Sequence, residues 1–191
     1  MSDPRPNPAD DVRFSRTRAL LGAEAMERLR RATVLVAGLG AVGSYAVEAL
    51  ARSGVGRLRL ADFDIVQPSN LNRQLYALGS TLGRPKVEVA AERVRDIHPD
   101  CVVEARRVFI AGDTLGLLLA EPPDVLVDAI DALGPKVALL AAAHRAGVWT
   151  ISAMGAATRT DPLAIRVADL AHTERCPLAR WVRRRLRALG I

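Results

Sequence analysis

The chain has 191 residues, which fits one domain by the usual range of roughly 100–200 residues. Half of its residues are hydrophobic, enough to bury a sizeable core, and aromatics are only 4%, so that core has to be aliphatic. The formal net charge of +6 suits an acidic partner such as a nucleotide or RNA. Arginine carries almost all of the positive charge, with lysine only at 86 and 136, a bias that a GC-rich coding sequence also produces. Two cysteines, Cys101 and Cys176, exclude a disulfide framework and a four-thiolate zinc site. The start, Met1 to Asp11, has no apolar run of a signal peptide, and no apolar stretch is long enough to span a bilayer. The expectation is a reduced, cytoplasmic protein.

The Pro- and Asp-rich residues up to Asp11 read as a disordered N-terminus. A helix is predicted over about Thr17–Arg30, with Leu20, Leu21, Ala25 and Leu29 on one face. Thr33–Ala37 is a short apolar run of the kind that forms a buried strand, and a helix from about Val42 to Arg52 follows a glycine cluster. Arg57–Ala61 alternates as a second strand, and a long loop runs from Phe63 to Gly83. Pro85 sits where a helix starts, and His98-Pro99 stops that helix after Ile97. Further strands are predicted at Cys101–Val108, Asp124–Asp128 and Val148–Ser152, with helices at Asp113–Leu119 and Pro135–Ala146. This alternation predicts a Rossmann-like α/β fold, a mostly parallel, doubly wound sheet behind an N-terminal helical segment. Asp161–Val167 reads as one more strand. The basic tail, 171–191, reads as a helix with Leu178, Trp181, Val182, Leu186 and Leu189 on one face and its arginines outward, among them Arg183, Arg184 and Arg185.

The chemistry begins at Gly38-Leu-Gly40-Ala-Val-Gly43, directly after a strand and opening a helix. In this fingerprint the first glycine permits a tight turn, the second lets backbone approach a phosphate, and the third allows close helix–sheet packing. The helix N-terminus then offers unpaired N–H groups to an anion. Asp62 ends the second strand, about twenty residues on, where a carboxylate accepts hydrogen bonds from ribose hydroxyls. The same fingerprint binds NAD. Two cations tip the reading toward ATP: Arg73, in the polar loop after Asp62, and Lys86, opening the helix after Gly83-Arg84-Pro85. Converging on one phosphate chain, they suit attack on an α-phosphate. Asp131, in Asp128-Ala-Ile-Asp131 at a strand's C-terminal end, can hold Mg²⁺ against phosphates or cap the next helix. Cys176 is a lone thiol in a basic stretch, more simply read as an incidental small residue.

Taken in order, the glycine fingerprint, Asp62-Phe-Asp64, Ser69-Asn-Leu-Asn-Arg-Gln74, Gly83-Arg-Pro-Lys86 and Asp128-x-x-Asp131 resemble the adenylating domain of the ubiquitin-activating-enzyme superfamily. That superfamily includes the activators of the thiamine and molybdopterin sulfur carriers. The likeness runs from about Val12 to Gly190. It implies that Gly38, Gly40, Ala41 and Gly43 contact the nucleotide, with Asp64 in the same binding set. It further implies that Asp62 holds the ribose, that Asn70, Arg73 and Lys86 hold phosphates, and that Asp131 organises Mg²⁺. Arg16, in Arg13-Phe-Ser-Arg16, matches an arginine that reaches the partner subunit's ATP, which implies a homodimer with Arg73, Lys86, Asp131 and Arg16 as its catalytic set. Within the superfamily the chain most resembles the ATP-dependent dehydratases that cyclise threonylcarbamoyladenosine in tRNA. That resemblance rests on Ala49–Gly56, Ala91–Cys101, Val127–Asp131, Pro135-Lys136 and the segments Thr160–Leu170 and Pro177–Leu186. It implies a tRNA substrate and admits a sulfur-relay protein as a further partner. Family members run on past the position of Ile191, so a fragment or a shortened relative is expected. Two alternatives stay open: an activator of a sulfur-carrier protein's C-terminus, and an ATP-binding module that has lost catalysis.

Overall fold

The computed structural model describes residues 11–191, so the expectation for the first ten residues lies outside the described part of the chain. A single 3₁₀ turn, Val12–Phe14, leads into α1 (Ser15–Leu21) and α2 (Ala23–Arg31). The core unit then runs β1 (Thr33–Ala37), α3 (Gly43–Ser53), β2 (Arg57–Ala61), α4 (Lys86–Ile97), β3 (Val102–Arg106), α5 (Asp113–Leu119), β4 (Val125–Asp128), α6 (Leu133–Arg145) and β5 (Trp149–Ser152). The last helix, α7, spans Pro177–Ala188.

All four strand pairings are parallel, in the order β3-β2-β1-β4-β5. Parallel strands need both faces covered, and alternation along β1 shows how the sequence does it. Val34 and Val36 point to one face with Leu58 and Leu60, where α3 and α4 supply Val47, Ala51, Val87, Ala90 and Val94. Leu35 and Ala37 point to the other with Leu126, where α5 and α6 supply Leu118, Leu139 and Ala143. The predicted doubly wound sheet is therefore the observed one. Strand order reverses at β1, whose neighbours are β2 and β4, and the crevice outside the C-terminal ends of strands at such a reversal is where ligands bind in open α/β sheets.

Four expectations fail for physical reasons. The N-terminal helix is not continuous: Gly22, with φ 83°, breaks it into α1 and α2. Only Ala25 and Leu29 of the predicted face turn inward, while Leu20 and Leu21 stay exposed. The predicted strand over Asp161–Val167 does not form. Pro162 donates no hydrogen bond, and the Asp161 carboxylate accepts from the Leu163 N–H at 2.9 Å, which closes a 3₁₀ turn over Pro162–Ala164. Helix α7 docks on α6 through Val182 and Leu186, which pack with Val137, Leu140 and Ala141, and it buries Ala179 in place of the predicted Trp181 and Leu189, both exposed. Nor is Arg183 outward. Its guanidinium donates to the Thr173 carbonyl at 2.8 Å and the Leu170 carbonyl at 3.3 Å, tying the preceding loop to the helix.

Candidate functional site

Five segments converge at the reversal point. The first is the glycine turn after β1. Gly38 has φ 87°, and a Cβ there would lie 2.9 Å from the Ala129 carbonyl oxygen, so the turn closes against the loop after β4 only without a side chain. A Cβ on Gly43 would lie 1.8 Å from the Gly38 carbonyl oxygen, which is the close packing of turn on helix expected of the third glycine. Gly40 is different: its nearest neighbour would be the Gln74 amide nitrogen at 3.7 Å, leaving its backbone open to a ligand.

Asp62 ties this turn to β2. Its Oδ2 accepts from the Leu39 N–H at 2.6 Å and its Oδ1 from the Asp64 N–H at 2.8 Å. The carboxylate is thus buried and already oriented by two backbone donors. Asp64 carries the network on: its carbonyl accepts from the Lys86 N–H at 3.0 Å, and its Oδ2 meets the Lys86 ammonium at 3.0 Å. Lys86 opens α4 and is only 4% exposed, so this ammonium has one carboxylate partner beside the crevice and little water. The sequence anticipated both residues without anticipating that they pair.

The polar loop lies across the glycine turn because α3 receives it. The buried Ser44 hydroxyl accepts from the Leu75 N–H at 3.2 Å, and the Tyr76 hydroxyl donates to the Ser44 carbonyl at 3.2 Å. Burial raises the Tyr76 pKa, so it stays a neutral donor. Asn70 is buried in the 3₁₀ turn Pro68–Asn70, where its side-chain oxygen accepts from the Gln67 N–H at 3.0 Å and its carbonyl from Gln74 at 2.9 Å. Arg73 is exposed and folded along its own loop, donating to the Ser69 carbonyl and to Asn72 Oδ1, both at 2.9 Å.

Asp131 is exposed just before α6; the N-cap position belongs to Ala132, which makes no side-chain cap bond, so the capping role weighed for Asp131 is not seen. Arg16 is exposed on α1. Among the described residues no three His, Cys, Asp or Glu side chains are grouped to hold a metal. Mg²⁺ prefers one or two protein carboxylates plus substrate phosphates, and a lone exposed carboxylate at a strand end has that character. Cys176 caps α7, its sulfur accepting from the Ala179 N–H at 3.4 Å. Burial opposes its ionisation, but backbone N–H groups at the start of α7 and the nearby Arg159 charge outweigh burial and lower its pKa.

Two features escaped the sequence reading. Phe63 and Phe109, both about half exposed, meet edge to face at 5.0 Å, and Phe63 directly follows Asp62 in the chain. No periodicity announces them, because both lie in loops. The second is the buried pair Asp128 and Lys136, joined by the half-buried Ser152, under the 129–131 turn, with the ammonium 2.6 Å from the carboxylate. Its signal was present: in a chain that uses arginine nearly everywhere, the two lysines both end up buried against a carboxylate.

Because Asp62 satisfies two backbone donors before any ligand arrives, Asp62→Ala should destabilise the empty protein as well as weaken nucleotide binding. Each N–H left unpaired costs about 1–3 kcal/mol. Urea unfolding without nucleotide checks this; an unchanged midpoint means that Asp62 serves only the ligand.

Comparison with known proteins agrees with this geometry. The ThiF family profile matches residues 14–187. The tRNA threonylcarbamoyladenosine dehydratase of Bacillus subtilis is 44% identical over 178 residues, 93% of this chain and 70% of that protein. The crystal structure of E. coli tRNA N6-threonylcarbamoyladenosine dehydratase in complex with ATP superimposes with a TM-score of 0.91 at 39% identity, covering 94% of this chain and 75% of that one. The molybdopterin-synthase adenylyltransferase of Salmonella typhimurium is 38% identical over a shorter stretch, 78% of this chain and 60% of that protein. The glycine turn, Asp62 and the buried Lys86 thus lie on a parallel sheet whose fold matches that solved structure, and the chain belongs to the ThiF family.

Proposed function

We propose that the chain is an ATP-dependent dehydratase of tRNA, which adenylates the carboxylate of threonylcarbamoyladenosine and promotes its cyclisation in the cytoplasm. The observation that carries this reading is the chain of contacts from Leu39 through Asp62 and Asp64 to Lys86, which ties a carboxylate acceptor and a poorly hydrated cation to an open glycine turn. The dehydratase relatives also match a larger share of the chain than the carrier-protein activator does.

In this reading the ribose hydroxyls donate to Asp62 and the phosphates lie over Gly40 and Ala41 at the start of α3. The purine lies against Phe63 and Phe109. Asn70 offers its side-chain amide, and Arg73 swings from Ser69 and Asn72 to the phosphates, where its planar fork replaces two neutral acceptors with charged ones. Lys86 then shares its ammonium between Asp64 and the phosphate chain. Asp131 is the carboxylate for Mg²⁺, which supplies charge neutralisation as pyrophosphate departs. The threonyl carboxylate attacks the α-phosphate, pyrophosphate leaves, and the carbamoyl oxygen closes on the acyl carbon and expels AMP. Cyclisation is intramolecular, so no enzyme thiol is required and Cys176 has no step to perform.

The reaction should release AMP only when ATP and threonylcarbamoyl-modified tRNA are both present, and calorimetry should show ATP binding tighter than NAD. AMP release driven by a small carrier protein in place of tRNA, or preference for NAD, overturns the assignment.

The assembly proposed is a homodimer in which Arg16 completes the site of the other subunit. Val12, Leu20 and Leu21, its neighbours along the chain, are exposed apolar side chains that a second subunit would cover. Mixing inactive Arg16→Ala chains with inactive Lys86→Ala chains should restore part of the activity, because one site of the mixed dimer is intact. No recovery between chains shown to be dimeric places Arg16 outside the site.

For the tRNA side we assign the exposed face of α7, Arg180, Arg184, Arg185 and Arg187, with the Arg184 guanidinium 5.5 Å over the half-exposed Trp181 ring. Contacts of this kind position a phosphate backbone without reading sequence. Changing Arg184, Arg185 and Arg187 together to Gln should flatten the salt dependence of tRNA binding, by a log–log slope of about 0.9 per lost phosphate contact, and leave ATP affinity alone. The parental slope in the triple variant shows that this face only bears solvent.

A further inference from the structure

The Asp128–Lys136–Ser152 cluster lies outside the proposed contacts with ATP, yet it is built with unusual completeness. Both charged side chains are fully buried. The Lys136 ammonium spends its three hydrogens on Asp128 Oδ2 at 2.6 Å, the Ala153 carbonyl at 2.9 Å and the Ser152 hydroxyl at 3.2 Å. That hydroxyl in turn donates to the same Asp128 oxygen at 2.6 Å. The other oxygen, Oδ1, accepts from the Ile130 N–H at 3.1 Å.

The turn held by that last bond is part of the glycine cradle. The Ala129 N–H donates to the Ala37 carbonyl at 2.8 Å, and the Ala129 carbonyl is the atom that a Cβ on Gly38 would meet. Its methyl carbon lies 3.3 Å from where a Cβ on Gly43 would stand. Residue 129 is thus wedged between the first and third glycines, and Asp131 follows two residues on.

Burying an ion pair gains little stability over an apolar pair of the same volume, because desolvation offsets the attraction. What the pair does supply is direction. An ammonium with three fixed acceptors holds the carboxylate in one rotamer, and a carboxylate in one rotamer holds the Ile130 N–H in one place. A lysine suits this: its ammonium is a compact point charge at the end of a slim stem, while a guanidinium is a broad fork.

We infer that Lys136 is a positioning residue for the nucleotide site: through Asp128 it fixes the 129–131 turn, and so sets both the wall of the glycine cradle and the height of Asp131. The inference rests on the reading that ATP occupies this crevice, and a wild-type protein that binds no ATP would remove that reading itself.

The test compares wild type with Ser152→Ala and with the double variant Asp128→Asn/Lys136→Met, which removes both buried charges and leaves none unpaired. Thermal unfolding and calorimetry with ATP, with and without Mg²⁺, are read together. The double variant should unfold within a few degrees of wild type yet bind ATP about tenfold more weakly, the size of effect seen when the partner that orients a ligand-holding group is lost. Its loss should be larger with Mg²⁺ than without, since Asp131 moves with the turn. A double variant of wild-type stability and unchanged ATP affinity, with or without Mg²⁺, overturns the inference and leaves the pair a packing element. Should the double variant not fold, Ser152→Ala decides. Removing one of the hydrogen bonds on Asp128 should weaken ATP by about threefold, and unchanged affinity in that folded variant overturns the inference equally.

Discussion

The site depends on one carboxylate that serves the fold before it serves a ligand. Asp62 stands at the end of β2, and its two oxygens are divided between the Leu39 N–H of the glycine turn and the Asp64 N–H of the following loop. A glycine-rich turn has little intrinsic preference for one conformation. Here it is held from below by Asp62 and from the side by the Ala129 carbonyl against Gly38. The open backbone at Gly40 is therefore presented by a turn whose conformation is already fixed. The acid that the sequence offered for a ligand is also the strut of the glycine turn.

The same economy governs the cations. An isolated buried ammonium is expensive, and Lys86 is tolerable at 4% exposure because Asp64 faces it at 3.0 Å. Arg73 is parked differently, in water, on neutral acceptors of its own loop. The two would respond differently to a polyanion. Lys86 needs only to share its charge, while Arg73 must leave weak partners for strong ones and cross some distance. The protein thus pairs a buried, hydrogen-bonded floor of Gly38–Gly43, Asp62 and Lys86 with an exposed cation held only within its own loop.

The fold was legible because its signals are periodic. Apolar runs at Thr33–Ala37 and Val125–Asp128, the glycine fingerprint, and helices with small and aliphatic faces all agree with one parallel sheet. What was not legible depends on partners distant in sequence. Nothing in Asp161–Val167 says that no strand will lie beside it; Leu163, Ile165 and Val167 alternate as a strand's would, and Pro162 with Asp161 settles the matter locally. Nothing in the run of arginines marks Arg183 as the one that turns back to Thr173 and Leu170, since that contact belongs to a loop ten or more residues away. The site divides the same way. Glycines and strand-end acids have fixed spacing along the chain, so Gly38, Gly43 and Asp62 were placed from it. Phe63 against Phe109 and Asp128 under Lys136 are meetings between loops and helices, with no spacing of their own.

Composition held one unused clue. An arginine-biased chain shows where arginine does not fit. A guanidinium carries five N–H groups on a flat fork and resists complete burial unless all are met. Arg59 shows what that takes: its guanidinium reaches Glu104, the Glu121 carboxylate and the Glu121 carbonyl from a nearly buried position. An ammonium needs three acceptors within a smaller radius, and Lys136 has three. The two lysines lie at the first or fourth residue of helices that follow β-strand ends, α4 and α6, and each ammonium reaches back to a carboxylate at the mouth of the sheet. Each therefore links a helix start to a strand end, one on each side of the reversal point. Two such links, one on each flank of the crevice, fix where the helices start relative to the strand ends, so the crevice is set by charge pairing inside the fold rather than by its exposed loops.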